Sequence, residues 1–161
     1  MISERLTELG IVLPPVFPPA GNYLGCVVVD DFVYVGGHGP MDGQKSVRGK
    51  VGGDLSLEDG RRAARLTALS ILATLQAELG DLDRIARIVK VFGMVNVAPG
   101  FNQTPAVIDG CSDLLVEVFG EDGRHTRSAV GLAELPFDIA VEIELIARLR
   151  TGQRAPSEQL I

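Results

Sequence analysis

Apolar residues recur along this chain with two different periods, and the changes of period mark out its elements. Ala64, Ala68, Ile71, Leu72, Leu75 and Leu79 fall on one helical face, while Arg61, Arg62, Arg65 and Glu78 lie elsewhere around it. Ser56 with Asp59 three residues on predicts a capping box at the start of this helix, and Gly80 predicts its end. A second helix is predicted from Asn102 or Gln103 to about Phe119, stopping at Gly120, with Val107, Ile108, Cys111, Leu114, Leu115 and Val118 as its apolar face. Gly110 inside it weakens the helix by about 1 kcal/mol relative to Ala, which points to close packing at that position. Ile2, Leu6 and Leu9 ahead of Gly10 predict a short amphipathic helix at the N-terminus.

The period-two stretches predict strands. Cys26 to Val29 and Phe32 to Val35, separated by Asp30-Asp31, read as a hairpin. Gly36-Gly37-His38-Gly39-Pro40 then reads as a strand-ending loop, whose glycines leave backbone amides open to close approach. It lacks the spacing and helix context of a nucleotide-phosphate loop. Lys45 to Val51 has weak strand character, Asp81-Leu82-Asp83 caps one further turn, and Ile88 to Val97 reads as a core strand ended by Pro99-Gly100. Glu121 to Thr126 is a polar turn. Arg127 to Ile146 reads as two strands joined by a corner at Pro136 to Asp138. Paired as a hairpin, they would bring Arg127 to the same end of the sheet as Glu142 and Glu144.

Two stretches stand outside this pattern. Val12 to Gly21 carries Pro14, Pro15, Pro18 and Pro19 and predicts an irregular connector, so residues 1–20 form an N-terminal helix and a proline-rich link. Residues 151–161 have little apolar periodicity and predict a loosely ordered tail. The element order predicts one α+β domain over residues 1–161, with helices grouped against a largely antiparallel or mixed sheet.

Composition narrows the function classes. With 161 residues, 46% hydrophobic and 22% charged, the chain can bury about 68 to 70% of its unfolded surface in one core. Its net charge of -6 argues against nonspecific nucleic-acid binding, which Lys and Arg drive. The only cysteines, Cys26 and Cys111, sit beside apolar residues and read as buried, reduced structural thiols. No basic leader and no apolar run of about 18 residues is apparent, so a soluble cytoplasmic protein without a membrane partner is expected.

Arg127-Ser-Ala-Val-Gly-Leu-Ala-Glu-Leu-Pro136, followed by Val141-Glu-Ile-Glu-Leu-Ile-Ala147, resembles the signature of the RidA/YjgF family of reactive-intermediate deaminases, formerly the L-PSP endoribonuclease family. Upstream, Asn22-Tyr23-Leu24 is similar to the family's Pro-Tyr segment, and Gly36 to Pro40 sits where members often have Ser-Gly-Gln followed by proline. The resemblance covers about Gly21 to Leu149. It implies a chorismate-mutase-like α+β fold, two main helices on one face of a mixed, largely antiparallel sheet, and a homotrimer with clefts between subunits.

The resemblance also implies roles. Arg127 would bind a substrate carboxylate, as a planar, permanently charged fork of donors suits it to do. Glu142 would position or activate water, and Tyr23 would line the site. Gly36, Gly37, His38 and Ala129 would border the substrate, with backbone amides near Gly37 supporting a tetrahedral intermediate. A neighbouring subunit would contribute from the helix around Asn102 to Ser112. The implied reaction is hydrolysis of an enamine or imine carboxylate, such as 2-aminoacrylate, to a 2-oxo acid and ammonia, with no metal or organic cofactor. The chain departs from the family pattern at Ala129, often cysteine, at Gly36, usually serine, and at His38, commonly glutamine. Those departures motivate an alternative, a noncatalytic carboxylate-binding or regulatory trimer. RNA cleavage ranks last, because no aromatic and basic platform accompanies the acidic net charge.

Residue by residue, blander readings stand beside these. Arg127 alone reads as a salt-bridged strand residue, Tyr23 as packing, and Glu142 with Glu144 as solvent-facing neighbours on one strand face. His38 and His125 read as surface or loop histidines, since two histidines without a third ligand make a weak metal site, and His125 would titrate near neutral pH beside Arg127. Ser128, adjacent to Arg127, should face the other way.

Overall fold

A computed structural model describes residues 1–151 of the chain. Helix α1 (Ile2–Glu8) is docked at its start and its middle: the Ile2 amide donates to Asp83 Oδ1 at 2.9 Å and Arg5 Nε donates to the Glu117 carbonyl at 2.9 Å. Residues 12–21 form no regular element. Strands β1 (Cys26–Val29) and β2 (Phe32–His38) pair as an antiparallel hairpin, and the two-residue strands β3 (Met41–Asp42) and β4 (Lys45–Ser46) make a separate ribbon. Helix α2 (Leu57–Leu79) starts with the predicted reciprocal cap: the Asp59 amide donates to Ser56 Oγ at 3.1 Å and the Ser56 amide donates to Asp59 Oδ2 at 2.9 Å. Gly80, at φ 77°, closes it. Asp81 caps a 3-10 turn that leads into β5 (Ile85–Asn96). Helix α3 (Thr104–Phe119) follows, then a 3-10 turn at Gly120–Gly123, β6 (Thr126–Leu132), a 3-10 corner at Pro136–Asp138, and β7 (Val141–Leu149).

The main sheet has the order β1-β2-β7-β5-β6, antiparallel except for the parallel pair β5 and β6. Val141, Ile143, Leu145, Ala147 and Leu149 of β7 are buried on one face, against Ile71, Leu72, Leu75, Leu114 and Leu115 of the two long helices. The helices thus lie on one face of a mixed sheet, as expected. They cross closely where Gly110 faces Arg61: a Cβ on Gly110 would come 2.0 Å from the Arg61 carbonyl oxygen.

The other sheet face is not covered. Val27, Val29, Tyr34, Phe92, Met94, Val130 and Ile146 share it, and Val29 is 53% exposed. Glu142 and Glu144 lie on this face too, since they alternate with the buried residues of β7.

Three expectations are corrected. First, Arg127 to Ile146 is not a hairpin. A parallel pair needs a long crossover, and α3 supplies it by carrying the chain from β5 to β6. With β6 on one side of β5, β7 takes the other, and residues 133–140 cross over the strand end. Asn96 anchors that crossing: its Nδ2 donates to Asp138 Oδ1 at 3.0 Å, its amide donates to the Ala140 carbonyl at 2.9 Å, and its Oδ1 accepts from Lys50 Nζ at 2.9 Å. Phe137 and Asp138 adopt positive φ, 57° and 58°, to turn the corner. Second, Gly36 and Gly37 are not a loop but continue β2, because β7 offers partners as far as the pair His38 and Ile143, with a bulge after Val35. Third, Lys45 to Val51 is a two-residue strand followed by isolated bridges of Arg48 to Ile139 and Val51 to Val97. The tail expected over 151–161 lies outside the described residues beyond Thr151.

Candidate active site

Strand β1 begins opposite Val35, so residues 36–39 run on as the edge of the sheet. A cavity of about 800 Å³ opens around that edge and is lined from both faces of the sheet. The proline-rich segment Pro15–Ala20 borders it, and Tyr23, which lines it, has its hydroxyl accepting from the Ala20 amide at 3.1 Å. Gly37, His38, Ser46, Ser70, Thr74, Glu78 and Glu142 also line it.

Glu142 and Gly37 fit as a pair. A Cβ on Gly37 would come 2.0 Å from Glu142 Oε1, so the absence of a side chain on Gly37 makes the room that the carboxylate occupies. Burial, and secondarily the negative charge of Glu144, push the Glu142 pKa above the ordinary carboxylate range. His38 is held at both ring nitrogens, with Nδ1 2.8 Å from the Gly36 carbonyl oxygen and Nε2 2.8 Å from Thr74 Oγ1. Burial pushes its pKa down, so the ring is neutral near pH 7. The Gly36 amide donates to the Gly25 carbonyl at 3.0 Å and is not open to a ligand.

Arg127 belongs to a second cluster. Its register partner is Val91, itself opposite the buried Leu145, so Arg127 lies on the helix side of the edge strand β6. Its Nη1 donates to Asp109 Oδ1 at 2.8 Å and to Ser112 Oγ at 3.0 Å, and the side chain is only 22% exposed. Ser112 Oγ also meets His125 Nε2 at 3.0 Å, and His125 Nδ1 meets the Gly123 carbonyl oxygen at 2.6 Å. The carbonyl can only accept, so Nδ1 carries the proton, and the Ser112 hydroxyl must donate to Nε2. Burial, aided by the Arg127 charge, pushes the His125 pKa down. Both hydrogens of Arg127 Nη1 are engaged, while Nε and Nη2 have no hydrogen-bond partner among the described residues. Those two nitrogens are the side-on pair that grips a carboxylate.

Of the expected site residues, Tyr23, Gly37, His38 and Glu142 share the cavity. Gly36 contributes through its carbonyl, which orients His38. Arg127 and Ala129 lie on the helix side of β6, and in a single chain Arg127 and Glu142 are on opposite faces of the sheet. The expected approach of Arg127 to Glu142 and Glu144 at one sheet end therefore fails along with the hairpin, because β5 separates the two strands. Ser128 does face away from Arg127, opposite Phe92 on the uncovered face. Neither histidine is a simple surface residue. Both are half-buried with two partners, and burial pushes the His125 pKa down from its ordinary value.

The cysteines are buried free thiols, as read from their neighbours. Burial pushes Cys26 to about 11 and Cys111 to about 12. Among the described residues no group of three or more His, Cys, Asp and Glu is placed to hold a metal ion, and no helix is long and apolar enough to cross a membrane. Thr74, Asp109 and Ser112 were not among the expected site residues by name, although the last two fall in the helix segment that the resemblance implicates.

Comparison with known proteins agrees with this architecture. A family model described as "YjgF/chorismate mutase-like, putative endoribonuclease" matches residues 3–149. Protein TCP17 of Trypanosoma cruzi is 42% identical over 150 residues, covering 92% of this chain and 94% of that protein. A solved structure from Agrobacterium tumefaciens, of unknown function, superposes with a TM-score of 0.86 at 42% identity and 92% coverage of each chain. Another from Shewanella oneidensis, described as a "putative endoribonuclease", gives a TM-score of 0.89 at 33% identity over 92% of this chain and 99% of that one. Signature, α+β architecture and sequence likeness agree, and the chain belongs to the RidA/YjgF, chorismate-mutase-like family.

Proposed function

We propose that this protein hydrolyses small reactive enamine or imine carboxylates, of which 2-aminoacrylate is an example, to 2-oxo acids and ammonia in clefts between the subunits of a homotrimer. The observation that carries the reading is how Arg127 is held. Asp109 and Ser112 fix Nη1, which leaves the Nε and Nη2 pair of a pre-positioned guanidinium for a carboxylate. Glu142, with its raised pKa, is a stronger base than an ordinary carboxylate once ionised. In the proposed reaction Glu142 takes a proton from water as the oxygen bonds to the imine carbon. Glu142 returns this proton to the nitrogen and then carries the hydroxyl proton to it as well, so that the C–N bond breaks with its electron pair leaving on ammonia as the carbonyl forms. Because Arg127 and Glu142 of one chain lie on opposite sheet faces, the clamp and the base are completed by a neighbouring copy in this reading.

The test uses purified protein and 2-aminoacrylate generated in situ. Ammonia and pyruvate release should accelerate, and Arg127→Ala should remove at least 100-fold of that acceleration. An unaccelerated wild-type reaction would end the deaminase reading. A second reading, a noncatalytic carboxylate-binding trimer, is favoured by Ala129 and Gly36, which bring no polar side chain to the site. Calorimetric binding of 2-oxo acids by a protein that turns over no imine would select it. RNA cleavage, the activity named for the Shewanella relative, has little support here, since no Lys or Arg lines the cavity among the described residues.

A further inference from the structure

Arg127 is held by a run of hydrogen bonds that all point one way. The Gly123 carbonyl can only accept, so His125 Nδ1, 2.6 Å away, carries the proton. Burial pushes the His125 pKa down and keeps the ring neutral near pH 7, which leaves a lone pair on Nε2. The Ser112 hydroxyl donates to that lone pair across 3.0 Å, and Ser112 Oγ in turn accepts from Arg127 Nη1 at 3.0 Å. Arg127 offers only donors, so His125 is the group that takes the Ser112 hydrogen.

A serine inside a helix has a ready alternative. Helical hydroxyls bond back to the carbonyl one turn earlier, as Thr7 does to Ser3 at 3.0 Å, Thr67 to Ala63 at 2.9 Å and Ser70 to Leu66 at 3.2 Å. For Ser112 that carbonyl belongs to Ile108, and a hydroxyl turned there would carry Oγ away from Arg127. The Nε2 lone pair turns it to His125 instead. Asp109, three residues earlier on α3 and so on the same helix face, holds the other Nη1 hydrogen, but its side chain is 42% exposed. A single bond to such a carboxylate leaves the guanidinium free to swing. Two bonds at one nitrogen fix its plane, and with it the direction of Nε and Nη2.

We propose that Ser112 and His125 are positioning residues for Arg127: His125 turns the Ser112 hydroxyl, Ser112 fixes the guanidinium plane, and the carboxylate affinity of the site is set in part by His125 acting through Ser112. This rests on the reading of Arg127 as the carboxylate anchor and adds two residues to that site. Ser112 and His125 are not a nucleophile and its base. Ser112 lies inside α3, where the backbone amides are committed to the helix and none is left to receive an oxyanion.

The experiment uses the full-length protein, with pyruvate as the probe. Ser112→Ala and His125→Leu should each weaken pyruvate binding about tenfold by calorimetry. In a relay the second loss is already contained in the first, so the double variant should also lose about tenfold, where independent contributions would give about 100-fold. His125→Gln, whose amide oxygen accepts in place of Nε2, should stay within about threefold of wild type, which a merely structural histidine would not predict. A second readout needs no ligand. In nitrogen-resolved nuclear magnetic resonance the Arg127 Nη signals, assigned by their loss in Arg127→Lys, should be separate in wild type and should merge through faster rotation in Ser112→Ala and in His125→Leu. No pyruvate binding by wild type, wild-type affinity in either single variant, an additive double variant, a loss in His125→Gln as large as in His125→Leu, or Nη signals unchanged in His125→Leu would overturn the proposal. If one single variant does not fold, the affinity and signals of the other decide the matter. A wild type that hydrolyses no imine ends the deaminase reading alone, because pyruvate binding and the Nη signals are separate measurements.

Discussion

Gly37 has no room for a side chain, because Glu142 Oε1 would lie 2.0 Å from its Cβ. Gly37→Ala must therefore displace the carboxylate, and the obstacle is the tip of a flexible side chain rather than backbone. The expected outcome is a fold retained by circular dichroism and an imine-hydrolysis rate lowered about 100-fold, the cost of misplacing a catalytic group by about 1 Å. His38 gives a pH prediction. Its pKa is depressed in the folded chain, so its stabilising contribution is complete above the ordinary histidine value and is lost as pH falls through the folded value. In urea denaturation, His38→Gln should show a smaller drop in midpoint between pH 7.5 and pH 5 than wild type; an equal drop would mean that the imidazole is not buried as neutral. At this scale the sequence was legible only where a residue carries its own signal. Arg127 and Glu142 stood out through a motif, but Thr74 looks like any helical threonine. Its partner lies 36 positions away, and no local period reports such a contact.

The elements follow from local chemistry more readily than their arrangement does. Apolar periodicity and the Ser56 cap define α2, and Asp81 caps its 3-10 turn as its position suggests. Strand pairing was another matter, since the alternation of β7 is the same whether its neighbour is β6 or β5. What decides it is the crossover through α3 and the buried Asn96 that ties down residues 133–140, both long-range effects. Gly110 allows a prediction in which two magnitudes compete. Helix propensity favours Gly110→Ala by about 1 kcal/mol. Against it, the new Cβ would sit 2.0 Å from the Arg61 carbonyl oxygen, and backbone of the facing helix cannot rotate aside. Overpacking of this kind costs about 1–3 kcal/mol or more, so the substitution should be net destabilising. A lower urea midpoint with unchanged slope would record that loss, and a raised midpoint would show that the helices separate without cost.

For the whole molecule, the largest unsettled feature is the uncovered sheet face. Tyr34, Phe92, Met94, Val130 and Ile146 lie on it at successive strands, all at least partly exposed, alongside Glu142 and Glu144. Exposed apolar residues gathered on one sheet face in this way mark an interaction surface. The proposed trimer would cover it, and the opposite-face placement of Arg127 and Glu142 gives that association a catalytic consequence. Phe92→Lys separates the two requirements. Phe92 is only half-buried and its register partner on β7 is Glu144, so a lysine there has solvent and a countercharge, and the single chain should keep its fold. Three such lysines brought together in a closed interface would lose the solvent and repel one another. Sedimentation equilibrium should therefore find wild type as a trimer and Phe92→Lys as a monomer with an unchanged circular dichroism spectrum. Imine hydrolysis should fall with the trimer, at least 100-fold, although no residue of the proposed site has been altered. A monomeric variant that retained full activity would show that one chain assembles the clamp and the base by itself, and the shared-cleft reading would have to be given up.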